Sequence, residues 1–426
     1  MKRKIKYSFF LFFVFLLDES SYSQDSTSFP IDSLLGKYHF INADASVLHN
    51  DNGTLDSFFE KLSKLSKDKK GKVSIVHIGD SHIQADYFSG RLRKDFQKDF
   101  GNAGRGLIFP YQVAKTNGPS DYRSTSKADW QAKRNVFPDQ SLPIGISGIT
   151  IQTNDSTADL SIRLKDKEGI DYSSTKMTLF HYKGAESYDF CILDSLGNEI
   201  GKISNKSKDD FSSTVHFKTP VNYFTIKCCA KSPEQTCARI FGIELENDSS
   251  GILYHMIGVN GAMYEHYLKS EYFTRQLPEL KPDLIILSLG TNESQHRNID
   301  SLQMRNKIDS LIQGIRAENP KAKFLITLPG DSYIKMRKGK KRYYVKNPAL
   351  NNVRKIISDY CKQNDIAYWD LMEVMGGYGS MGMWYKAGMA DKYRLHFTAK
   401  GYGIQAELLY RAIKKSYETF LMKKEK

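Results

Sequence analysis

Cysteine is scarce in this sequence. Five residues in 426 are too few for a disulfide framework, and their spacing is not that of a zinc site. No Gly-X-Y period and no self-similarity at roughly 20–50 residues is present, which sets aside fibrous and solenoid architectures. No apolar run reaches the ~20 residues that a bilayer-spanning helix needs. The low hydrophobicity of a disordered chain is missing too, since 40% of residues are apolar and 12% aromatic. Acidic residues are in deficit, with 62 Lys+Arg against 48 Asp+Glu and a formal net charge of +14. What remains is a basic globular chain long enough for two or three domains at ~100–200 residues each.

The N-terminus adds a location. Lys2, Arg3, Lys4 and Lys6 precede the apolar run Phe9 to Leu17, and Asp18 and Glu19 follow at once. With the small residues of Ser21-Tyr22-Ser23, this is the layout of a signal peptide over residues 1–23, cleaved before Gln24. No Cys lies nearby, so a lipid anchor is not expected. The protein is expected to be exported, to the periplasm or beyond. Its basic balance then points to an anionic envelope polymer and not to nucleic acid. The densest basic run, Lys335 to Lys346, reads as a solvated loop. Among the cysteines, Cys228 or Cys229 could bridge Cys237 across a hairpin in an oxidising compartment.

Periodicity divides the remainder. Leu55, Phe58, Phe59, Leu62 and Leu65 fall at helical spacing over Thr54 to Lys67, with Thr54 as the cap. An apolar strand Val73–Ile78 runs into Gly79-Asp80-Ser81-His82, and a helix from about Asp86 to Phe100 closes at Gly101. From about Val113 to Asn247 the runs become short and alternating, among them Ile146–Gln152, Asp159–Leu164, Met177–His181 and Tyr223–Cys229. That texture is an all-β sandwich. Trp130, Tyr172, Tyr182 and Tyr223 read as its core, with sugar stacking as the alternative. After Gly251, strands at Ile252–Ile257, Asp283–Leu289, Lys323–Leu328 and Ile366–Trp369 alternate with helices around Ala262–Leu277, Ser301–Glu318, Pro348–Asn364 and Ala399–Leu421. Successive βα units with nearly continuous apolar strands make a parallel sheet covered on both faces. The expected fold is therefore one α/β domain, residues 50–112 and 251–421, interrupted by a β-sandwich at 113–250. Such an insertion contributes mainly its own stability, so the α/β part is expected to fold without it.

In an open parallel sheet, reactive groups gather at the carboxyl ends of strands. Ser81 sits there in a tight turn, Gly290-Thr291-Asn292-Glu293 follows another strand, and His396 precedes the last helix. A serine nucleophile needs a base for its proton and donors for an oxyanion, and these segments supply both. Asp370 and Glu293 read as structural. Gly101-Asn102-Ala103-Gly104-Arg105-Gly106 follows a helix and lacks the Lys-Ser/Thr of a phosphate loop, so it reads as a mobile loop near the site. His77, His82, His255, His266 and His296 lack metal-ligand spacing; no metal or other cofactor is expected.

The segments Gly79–His82, Gly258-Val259-Asn260-Gly261-Ala262, Gly290–Glu293 and His396-Phe397-Thr398-Ala399-Lys400-Gly401-Tyr402 match, in order, the four motif blocks of the SGNH (GDSL-type) esterases and acyltransferases, which the sequence resembles. The stretch from Tyr368-Trp369-Asp370 through Met375–Met381 to Gly401-Tyr402 is similar to secreted Bacteroidetes-type members and to peptidoglycan O-acetylesterases, which also carry a β-sandwich between the first two blocks. The resemblance implies a three-layer α/β/α domain, with Ser81 as nucleophile and His396 as general base. It also implies an oxyanion hole built from the N–H groups of Ser81 and Gly261 and the side chain of Asn292. The family's triad acid usually lies three residues before the histidine, where this chain has Tyr393. Asp391, five residues before, takes that role if the loop bulges. Otherwise a Ser–His dyad remains, oriented by Tyr393 or a backbone carbonyl. His82 either contacts substrate or packs. The implied activity is removal of O-acetyl groups from a polysaccharide or peptidoglycan through an acyl-Ser81 intermediate. The alternatives are an O-acetyltransferase using the same residues and a non-catalytic glycan-binding protein with a degraded triad.

Overall fold

The computed structural model describes residues 31–425, apart from 51, 140, 167–168, 207–210 and 297. Residues 1–23, where a signal peptide is expected, lie outside them. Among the described residues no helix is long and apolar enough to cross a membrane.

The apolar strands assemble into a six-stranded sheet in the order Leu48–His49, Ala367–Asp370, Lys323–Leu328, Leu284–Ser288, Lys72–Gly79, Gly251–Gly258. All neighbours are parallel except the short Leu48–His49 edge strand, which is antiparallel. The helices Asp56–Asp68, Tyr87–Phe100 and Ala399–Lys424 pack on one another, as do Ser301–Glu318 and Leu350–Gln363. Each turns an apolar stripe inward, for instance Phe58, Phe59, Leu62 and Leu65 on the first. Its expected Thr54 cap is not made: the Thr54 hydroxyl donates to Asn50 Oδ1, which also accepts the Leu55 N–H.

Between the first helices and the Gly251–Gly258 strand, the chain builds two antiparallel sheets. One orders Glu199–Ile203, Asp189–Leu193, Tyr223–Cys229, Asp159–Leu164 and Tyr122–Thr125. The other orders Ser212–Val221, Ser174–His181, Ala238–Glu246, Ile149–Thr153 and Gln131–Arg134, with Gly106–Ile108 also paired to Ala238–Glu246. The α/β chain with an inserted β-sandwich is thus the observed architecture.

Four local expectations are corrected. The Ala262–Leu277 helix is broken into Tyr264–Leu268 and Phe273–Gln276. Its second piece is tied to the insert: the Tyr272 N–H donates to the Ile144 carbonyl and Gln276 Oε1 accepts the Ile146 N–H. The basic run is a β-hairpin, Tyr333–Lys338 with Lys341–Lys346, and not a loop. The 101–106 segment is pinned, with Arg105 fully buried. A side chain at Gly104 or Gly106 would meet backbone of Glu246 or Tyr254 within 2.6 Å. Finally, all five cysteines are free thiols, and the pair brought together is Cys191 and Cys229, Sγ atoms 2.6 Å apart. Their strands are adjacent, with Cys229 opposite Asp189, whereas Cys237 precedes a strand of the other sheet.

Insert and α/β part share one continuous apolar core. At their junction Asp86 and Arg93, at the start of and within the Tyr87–Phe100 helix, meet Arg105 and Asp121. Arg93 Nη2 lies 2.7 Å from Asp86 and 3.0 Å from Asp121, while Arg105 bonds both carboxylates. All four are buried, and the insert's Tyr172 completes the group by accepting from Arg93 Nε.

Candidate active site

Three adjacent strand ends converge. Gly79 lies beside Gly258 on one side and Ser288 on the other. A side chain at Gly79 would strike Ile83 and the Ser288 carbonyl, and one at Gly258 would strike the Gln84 backbone. These glycines let the short Ser81–Gln84 helix sit directly on the sheet edge. Asp80 caps it, accepting the His82 N–H at 2.9 Å. Ser81 is its first residue, so its own N–H has no intrahelical acceptor.

Ser81 Oγ lies 2.9 Å from His396 Nε2, a hydrogen bond that joins positions 315 residues apart. Behind the imidazole, Asp391 Oδ2 is 3.7 Å from Nδ1, within ion-pair range. Burial pushes the Asp391 carboxyl up, but His396 and the Leu395 N–H outweigh it and hold the group below its ordinary value. The loop that makes this possible is a tight reversal. Ala390 bridges to Phe397, the Asp391 N–H donates to the His396 carbonyl at 2.9 Å, and Arg394 adopts a left-handed φ of 56°. Tyr393 turns elsewhere, its ring 5.6 Å from that of Tyr344 on the basic hairpin. Asp391, not Tyr393, is therefore the side chain brought to His396.

His82 packs. Its Nδ1 is 2.9 Å from the Tyr402 hydroxyl and its ring centroid 5.2 Å from that of His396. Burial first, and the neighbouring His396 second, push it down to about 3, so it stays neutral. Gly261 has a φ of 85°, and a side chain there would meet nothing within 4 Å, so its backbone borders open space. The Gly261 N–H has no backbone acceptor among the described residues.

The Asn292 carboxamide lies in the same cleft, but both its N–H groups are engaged, with Asp80 Oδ2 at 3.1 Å and the Ala262 carbonyl at 2.9 Å. To donate to an oxyanion it must release one of them. The release is cheapest from Asp80 when that carboxyl is protonated, and burial pushes Asp80 up to about 7. Sequence reasoning missed Asp80 as a partner of Asn292, because nothing local signals a contact across 212 residues. Glu293 accepts the Tyr264 N–H and Asp370 is paired with Arg354, so both serve the scaffold. Among the described residues, no group of three or more His, Cys, Asp or Glu side chains could hold a metal ion.

A serine hydroxyl bonded to an imidazole with a carboxylate behind it, beside unengaged backbone N–H groups, suits acyl transfer. Comparison with known proteins agrees. Residues 225–404 match the model of the GDSL-like lipase/acylhydrolase family, a span that takes in Gly261, Asn292 and His396 but not Ser81. A solved peptidoglycan O-acetylesterase is 24% identical and superposes with a TM-score of 0.72, covering 87% of this chain and 99% of its own. A lipase/acylhydrolase from Enterococcus faecalis (19% identity, TM-score 0.28, 40% of this chain and 78% of its own) and a GDSL-like lipase from Bacteroides thetaiotaomicron VPI-5482 (19%, 0.27, 39% and 76%) also align. No curated protein matches the sequence.

Proposed function

We propose that the chain is a member of the GDSL-like lipase/acylhydrolase family, the SGNH hydrolases, whose model matches residues 225–404, and that it is an exported serine esterase removing O-acetyl groups from a polysaccharide or peptidoglycan. The observation that carries the reading is the 2.9 Å contact between Ser81 Oγ and His396 Nε2. In the first half-reaction Ser81 Oγ attacks the acetyl carbonyl carbon while His396 takes the hydroxyl proton. The oxyanion is held by the N–H groups of Ser81 and Gly261 and by Asn292 once its amide is freed. Asp391 stabilises the imidazolium that forms. His396 then protonates the departing sugar oxygen, leaving acetyl-Ser81. In the second half-reaction His396 takes a proton from water as the water oxygen adds to the acyl carbon. The bond from that carbon to Ser81 Oγ then breaks, His396 returns the proton to Ser81 Oγ, and acetic acid leaves and ionises to acetate.

The substrate class comes from the peptidoglycan O-acetylesterase whose fold is shared through both the α/β part and the insert. Export comes from the charge order and cleavage pattern of residues 1–23. We take 50–112 and 251–421 as the catalytic domain and 113–250 as its insert.

The test is turnover of p-nitrophenyl acetate and acetate release from a panel of O-acetylated glycans. Wild type should be active and should be labelled at Ser81 by a fluorophosphonate, and Ser81→Ala should lose both. Activity or labelling that persists in Ser81→Ala overturns the assignment. A sugar acceptor outcompeting water would mark a transferase.

A further inference from the structure

The hairpin Tyr333–Lys338/Lys341–Lys346 stands directly against the His396 loop. The Tyr333 N–H donates to the Arg394 carbonyl at 2.9 Å, the Arg394 guanidinium lies 5.0 Å from the Tyr333 ring, and Tyr344 meets Tyr393. The register pairs Tyr333 with Lys346, Lys335 with Tyr344 and Arg337 with Arg342, so these six residues share one face. That face carries the contacts to Tyr393 and Arg394, and it extends from the loop of the general base outward for about 20 Å at the usual rise per strand residue.

Residues 333–346 hold seven basic side chains and no acidic one, and all seven are exposed. Arg337 lies opposite Arg342, and Lys338 opposite Lys341, on either side of the turn. Like charges directly across a strand pair repel. The hairpin therefore concentrates unfavourable charge at its tip, which its own sequence does not offset. A partner with regularly spaced negative charges offsets it.

We propose that this hairpin is a docking arm for an anionic, carboxylate-bearing glycan strand, which it leads to Ser81. The proposal deepens the esterase reading and rests on it for what happens at Ser81. A row of cations running along the strands to the catalytic loop suits a linear polymer, whereas a planar bilayer would meet the tip alone. Attraction of this exposed kind acts through capture and is weakened by salt.

The test compares the full chain with the Arg337→Gln/Lys338→Gln/Lys341→Gln/Arg342→Gln variant on two polymers. One is O-acetylated peptidoglycan strands, which carry carboxylates; the other is neutral acetylated glucomannan. The p-nitrophenyl acetate rate of each protein serves as its reference. Relative to that reference, kcat/KM on the acidic polymer should fall ~10-fold, mainly through KM, and its decline with salt should flatten. The neutral polymer should change less than about twofold. Arg337→Lys/Arg342→Lys should behave as wild type, which separates charge from misfolding. No loss on the acidic polymer, or an equal loss on both, overturns the docking arm. Binding of Ser81→Ala to unacetylated polygalacturonate needs no turnover and keeps the two readings apart. Retardation that the four glutamines abolish supports docking even where no acetate is released, an outcome that would sink the esterase reading alone. Capture of phosphatidylglycerol vesicles but not of polygalacturonate would instead assign the hairpin to a membrane and overturn the proposal.

Discussion

Asp391 reaches His396 because one residue between them, Arg394, adopts a left-handed backbone that folds 390–397 back on itself. A left-handed φ is uncommon for arginine, and here the residue is held by its surroundings. Its N–H donates to the Asp391 carbonyl, and its guanidinium lies 5.0 Å from the rings of both Tyr333 and Tyr385. If Asp391 orients the imidazole, Asp391→Asn should lower kcat by ~10²-fold or more, by analogy with loss of a triad acid. Tyr393→Asp should not raise the rate, since that side chain faces Tyr344 and the place behind Nδ1 is taken. Steady-state kinetics on p-nitrophenyl acetate decide both. A change of under threefold in Asp391→Asn would leave a dyad. The sequence offered Asp391 and Tyr393 as alternatives, and a single backbone torsion chose between them.

Some strands and helices with strong apolar periodicity were legible to within a residue or two, including Ser301–Glu318 and Tyr223–Cys229, whereas others, such as Ser174–His181, start or end three residues away from the expected bounds. The basic hairpin was not, because alternation cannot be read where nearly every position is charged or aromatic. The Ala238–Glu246 strand is likewise central to its sheet, and it buries a carboxyl. Glu244 is 5% exposed and faces His255, whose Nε2 is 3.8 Å away. Burial, with Glu246 adding to it, pushes Glu244 from 4.5 up to about 8, and burial pushes His255 down to about 3. A carboxyl raised on folding contributes stability that is complete below its unfolded pKa and is lost as pH rises through the folded one. That window runs from about 4.5 to about 8. Glu244→Gln should therefore melt progressively higher than wild type as pH is raised from about 5 to about 8. A melting difference independent of pH would refute the assignment.

Over the whole molecule, the insert and the α/β part hold each other up. Asp86, Arg93, Arg105 and Asp121 form a closed set of two positive and two negative groups, all buried at the junction. Removing one member of such a set leaves uncompensated buried charge and costs about 3–5 kcal/mol. Asp121→Asn should lower stability on that scale, read as a shift in the chemical-denaturation midpoint. Deleting about 115–248 removes Asp121 and Tyr172 together and strips Gly106–Ile108 of its partner strand. The remaining chain should therefore be insoluble or molten, with near-ultraviolet circular dichroism lost. A truncated protein that melts cooperatively would show instead that the α/β part is self-sufficient, as its strand pattern alone suggests.

Apolar periodicity, which most strands and helices carry locally, determined the α/β class and the insertion, while the motif segments bearing Ser81, Gly261, Asn292 and His396 were read from their resemblance to a known family. Tertiary structure alone decided which carboxylate stands behind His396, what Asn292 holds, and that the basic run is a hairpin beside the His396 loop. It also decided that the 101–106 turn is a buried, ion-paired joint. Each of these depends on a contact between residues distant in sequence or on one torsion fixed by such contacts, and no local pattern encodes either.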